Sequence, residues 1–116
     1  MGIAGCDDNK DNAQNFEITT SFGKIPLRAV PKKTLPSWLI AKVNELETPD
    51  AIAIKVCRGQ WKNQTVYYIE NPISSCMFCD LFYENGTKIK LGNELVDFHK
   101  NSTNWVCIYV INHNYR

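Results

Sequence analysis

The dipeptide Asn85-Gly86, set between two apolar runs, constrains this chain more than any other feature. Both central residues of a type I′ turn need φ > 0, and Asn-Gly meets that demand at little steric cost. The pair predicts a hairpin of residues 76–83 against 88–91, with Phe82 opposite Ile89, Tyr83 opposite Lys88 and Asp80 opposite Leu91. Strand alternation then puts Cys76, Phe78, Phe82, Ile89 and Leu91 on one face. Cys79, Leu81, Tyr83, Lys88 and Lys90 take the other. A second hairpin precedes it: residues 51–61, a Lys62-Asn63 turn, then 64–70. A two-residue turn there opposes Val56 to Ile69 and Lys55 to Glu70. Ile52, Ile54, Val56, Tyr67 and Ile69 share an apolar face, and Lys55, Cys57, Trp61, Tyr68 and Glu70 a mixed one. A slip of one residue would exchange the faces, so their separation supports the register. Gly59 marks a candidate bulge.

Upstream lies the clearest helix. Pro36 suits a first turn, where its missing N–H costs nothing. Leu35, Trp38, Leu39, Val43 and Leu46 recur at helical spacing, while Lys42, Asn44, Glu45 and Glu47 fall elsewhere. Thr48-Pro49 ends the run. Such a stripe must be buried, and the following sheet is the partner, with Trp38 in the contact. Residues 104–112 read as a last strand, with Val106, Ile108 and Val110 on one face and Trp105, Cys107, Tyr109 and Ile111 on the other. Both faces are apolar, so the strand is covered twice or its outer face has a task. Residues 16–20 alternate as a short edge strand. Residues 22–33, broken by Gly23, Pro26 and Pro31, lay Ile25, Leu27 and Val30 on the domain as an extended segment. Residues 92–103 read as a loop or a helical turn. The expectation is an α+β fold: one amphipathic helix packed on an antiparallel sheet of about four or five strands. Residues 16–116 form a single domain, preceded by a polar, disordered tether over 1–15.

The net charge is +1 and the cations form no block, so no nucleic-acid partner is expected. No apolar run approaches the ~20 residues of a membrane-spanning helix. Ile3-Ala4-Gly5-Cys6 has small residues leading into a cysteine, and resembles the lipobox of bacterial export signals. The resemblance implies lipidation of Cys6 and a membrane partner reached through that lipid. Only Met1 and Gly2 precede the motif, and the expectation is a chain that starts near its cleavage site. The acidic stretch Cys6-Asp7-Asp8-Asn9-Lys10-Asp11-Asn12 resembles the surface-export signal of Bacteroidetes lipoproteins. Pro36-x-Trp38-Leu39, Thr65-Val66-Tyr67-Tyr68-Ile69, a Cys-containing segment and Leu81-x-Tyr83-x-x-Gly86 follow in order. This block, less than half the chain, is similar to a family of small uncharacterised Bacteroidetes outer-membrane lipoprotein domains. The chain lacks the Gly-rich, Cys-containing tail those domains often carry, and the resemblance brings no activity with it. It implies an outer-membrane, lipid-anchored protein, exposed at the cell surface.

Setting Cys6 aside leaves Cys57, Cys76, Cys79 and Cys107 of the five cysteines. An even number in a small exported domain suggests two disulfides, with three connectivities open. A Cys57–Cys107 bridge would contribute roughly 4 kcal/mol by chain entropy. It requires the last strand beside the first, because Cα atoms more than ~7 Å apart cannot be bridged. Cys76-Met-Phe-Cys79 also has the form of a redox pair. That chemistry needs a thiolate at a helix N-terminus, whereas this run reads as extended. Zinc held by all four thiols would need two closely spaced pairs, and Cys57 and Cys107 are far apart in sequence. Structural disulfides or buried thiols remain the favoured reading.

His99 and His113 stand at no ligand spacing, the carboxylates are scattered and no serine sits in a G-x-S-x-G elbow. No catalytic residue, metal or cofactor is assigned. Trp61, Tyr68, Tyr83, Trp105 and Tyr109 are expected to share the face turned from the helix. They form either a binding surface or a second small core under residues 22–33. The chain therefore reads as a non-catalytic, lipid-anchored binding module for a protein or glycan. The alternative is a thiol-disulfide oxidoreductase using Cys76 and Cys79.

Overall fold

The computed structural model describes residues 16–48, 53–72 and 78–111. The 1–15 tether with Cys6, and Ile52, Cys76 and His113, lie outside them. The chain is α+β, with two antiparallel sheets. A small hairpin of β1 (Glu17–Thr20) and β2 (Gly23–Pro26) is followed by α1 (Ser37–Leu46). Then come β3 (Ile54–Trp61), β4 (Gln64–Glu70), β5 (Leu81–Tyr83), α2 (Leu95–Asn101) and β6 (Thr103–Ile111). The main sheet runs β5-β4-β3-β6.

The β3–β4 hairpin has the register its two-residue turn implies, with Val56 opposite Ile69 and Lys55 opposite Glu70. Lys62 and Asn63 both hold left-handed φ, 54° and 61°, as a type I′ turn requires. Lysine is a poor residue for that conformation. Its ammonium is held 4.4 Å over the Trp61 ring and pairs with Glu94.

The second hairpin departs from expectation by one residue. The Gly86 N–H donates to the Tyr83 carbonyl and the Tyr83 N–H to the Thr87 carbonyl, both at 2.9 Å, so the loop is three residues long. Only Gly86 is left-handed, at φ 93°. Asn85 instead accepts the Thr87 N–H on Oδ1 at 2.9 Å. Phe82 therefore bridges Lys88 rather than Ile89. Phe82 packs on the α1 side, while Leu81, Ile89 and Leu91 pack on the other. Trp38 accounts for this choice. Its Nε1–H donates to the Glu84 carbonyl at 2.8 Å, and its ring lies 3.0 Å from where a Cβ on Gly86 would stand.

β6 departs too. Cys57 faces Cys107, yet Val56 faces Tyr109, so Ile108 is an extra residue. Beyond this bulge the alternation inverts, and Ile108, Tyr109 and Ile111 all pack toward α1. The bulge also turns two successive carbonyls to one edge. Cys107 and Ile108 accept from Arg28 and Val30 N–H at 2.8 and 2.9 Å. Residues 27–30 thus run along β6, Leu27 forming a parallel bridge to Cys107. Gly59 marks a second irregularity, where the Trp105 indole occupies the space of a Cβ.

The sheet is covered on both faces. On one, Leu35, Leu39 and Val43 of α1 and its approach pack on Val56, Tyr67, Ile69 and Ile111. Leu39 and Val43 are fully buried, each worth about 1.5–3 kcal/mol against exposure. The other face is closed by β1–β2, Phe78 and α2, an element the sequence leaves as a loop or turn. Phe98 is its one fully buried side chain.

Candidate functional site

The aromatic face is a core, not an open surface. Trp61, Tyr68 and Trp105 are buried, and Tyr83 is half-buried against them. The cover is Phe22, from the β1–β2 turn, stacked on Trp105 with centroids 4.3 Å apart and an interplanar angle of 17°. Phe22 also meets Tyr68 and Phe98 edge-on. Ser21 N–H fastens this turn by donating to Glu70 Oε1 at 2.8 Å. Tyr109 does not belong to the group, because the bulge turns it to the α1 side. There its hydroxyl donates to Glu47 Oε2 at 2.8 Å.

The polar tips of the buried rings are satisfied, as burial demands. Trp61 Nε1–H donates to Asp97 Oδ2 at 3.0 Å, and Trp105 Nε1–H to Ser102 Oγ at 2.8 Å. Hydrogen bonds from Asn101 and then Trp61 hold the Asp97 carboxyl below its ordinary range. Burial pushes the Tyr68 hydroxyl up. Asp97 is thus a lid fastener, with both oxygens engaged inside its own helix and sheet.

The cysteines give a staple. Cys57 and Cys107 are bonded to each other, with Cα atoms 4.0 Å apart, and both are fully buried. Water and thiols do not reach that bond in the folded state. Cys79 is disulfide-bonded as well and half-buried. It leads into the strand β5, and among the described residues no helix N-terminus lies there to stabilise a thiolate. Among the described residues, no group of three His, Cys, Asp or Glu is placed to hold a metal ion.

A trough lies open beside α2. Two adjoining cavities of about 380 and 260 Å³ share Phe78 and Leu95 as lining. Ile89 and Leu91 extend the apolar floor, and Val96 stands at the rim. Cys79, Lys88, Lys90, Gly92, His99 and Lys100 complete the lining, which includes no carboxylate among the described residues. The geometry follows from helix periodicity. Phe98 points inward, so Val96, two residues earlier, must point out. Leu95 and Val96 are 45% and 67% exposed. Sequence reasoning missed this site, although two adjacent apolar residues in a polar stretch were its signal: neighbours on a short helix cannot both enter the core. Comparison of the chain with protein-family models, with curated proteins and with solved structures returns no match.

Proposed function

We propose that this chain is a lipid-anchored envelope lipoprotein whose domain acts as a non-catalytic binding module, with the trough beside α2 as its contact surface. The supporting observation is the pairing of a covalently stapled core with an apolar trough rimmed by cations. Disulfides of this kind belong to oxidising compartments outside the cytosol. Trp61, Tyr68 and Trp105, which would otherwise offer a surface, are buried in the second core. Anchor and compartment rest on the lipobox-like Ile3-Ala4-Gly5-Cys6.

Fatty-acid labelling of the protein in its own cells tests the anchor. The expected result is label retained in the membrane fraction and lost in Cys6→Ala. Unlabelled protein with all thiols reduced would overturn both anchor and compartment. Thiol titration tests the oxidoreductase alternative: one fast-reacting, low-pKa thiol at Cys79 would revive it, and an inert oxidised Cys79 ends it.

A further inference from the structure

We infer that the trough beside α2 seats on an anionic bilayer surface, holding the domain face-down on the membrane. This deepens the lipid-anchored reading and rests on it for the distance involved. The first observation is composition. Leu95 and Val96 are the large apolar side chains left exposed on α2, at 45% and 67%. They are flanked by Lys88 and Lys90 on one side and by Lys100 on the other, all exposed. The carboxylates of Glu94 and Asp97 are engaged by other groups. Glu94 is paired with Lys62, and Asp97 is held by Trp61 and Asn101. An apolar ridge among lysines is the combination that partitions into the headgroup boundary of anionic lipid.

The second observation is shape. Phe78 forms the floor and is 4% exposed, while Val96 at the rim is 67% exposed. The apolar surface rises toward solvent, which suits entry into a fluid layer better than clasping one defined side chain. The third is reach. Nine residues lie between Cys6 and Phe16, which makes ten Cα-to-Cα steps. Ten such steps span at most about 35 Å. An acyl chain on Cys6 would keep the domain beside the bilayer at a local concentration in the mM range. A face too weak to bind alone would then stay engaged.

The test uses the full chain without lipid, so that anchor and face are read separately. It is co-sedimented with phosphatidylglycerol-rich vesicles and with pure phosphatidylcholine vesicles, at low salt. The expected result is preferential partition onto the anionic vesicles, screened by added salt. K88Q/K90Q/K100Q should lose on the order of 100-fold, about fivefold for each lysine. L95S/V96S should lose several-fold, and K24Q on β2 should partition like the parent. Circular dichroism checks that each variant is folded. No preference for anionic vesicles, or equal partition of the triple variant and the parent, would overturn the inference. So would binding to soluble polyglutamate, abolished in the triple variant, without vesicle binding; that result assigns the trough to an acidic protein. Failed labelling at Cys6 with vesicle binding intact sinks the anchor alone, and the converse sinks the face alone.

Discussion

At Gly59 a single missing Cβ decides how the second core closes. The Trp105 indole fills the space that any larger residue would take. Gly59→Ala should therefore lower stability by about 1–3 kcal/mol through overpacking. Trp105→Ala should cost about 3–5 kcal/mol through the lost buried ring. The double variant should cost clearly less than the sum, because the alanine methyl then enters the vacated space. Urea denaturation of the four proteins measures this, and strict additivity would refute the contact. Glu47 offers a second test. The Lys32 ammonium, 2.6 Å away, is the main cause of a carboxyl pKa below its ordinary range. Burial opposes it, and the Tyr109 hydroxyl adds to the lowering. The folded state then binds fewer protons than the unfolded one across that interval. Stability from this group is present above the unfolded carboxylate pKa and lost as pH falls through the folded one. The melting temperature should fall more steeply between about pH 5 and pH 3 in the parent than in Glu47→Gln. Parallel slopes would exclude Glu47 as a contributor.

Elements follow their local rules until a tertiary contact outweighs them. β3–β4 and α1 were legible because their signals agree: turn length, alternation and a helical stripe lead to one arrangement. The 84–86 loop was misread because Asn-Gly suits both a two-residue turn and a three-residue one ending in a left-handed glycine. The indole of Trp38, 46 residues upstream of Glu84, selects the second. Gly86→Ala tests that clasp. It forces a methyl into left-handed backbone and to 3.0 Å from the Trp38 ring. A loss of at least ~1 kcal/mol is expected by thermal melting. An unchanged melting temperature would mean the loop tolerates either form. The bulge at Ile108 left no mark in the sequence either, since Cys-Ile-Tyr-Val-Ile alternates plausibly in both frames. For that reason the tyrosine assigned to the aromatic face belongs to α1. The trough escaped notice because it depends on α2, a seven-residue helix, too short to show periodicity.

For the molecule as a whole, the Cys57–Cys107 bond joins β3 to β6 across 50 residues of sequence. By chain entropy it contributes roughly 4 kcal/mol, a large share of what a domain this size retains. C57A/C107A should lower the melting temperature by well over 10 °C, read by differential scanning calorimetry. Because both sulfurs are buried, mild reductant should leave the folded parent unchanged until denaturant is added. Prompt reduction under native conditions would contradict that burial. Residues 27–30 have an effect of their own on the assembly of many copies. By donating to the Cys107 and Ile108 carbonyls they cover the middle of the β6 flank and shorten the row of backbone groups open to another chain. At the opposite flank, β5 is only three residues long and is itself bridged through Lys88. Copies held at high concentration should therefore join edge to edge less readily than domains whose outer strand is bare.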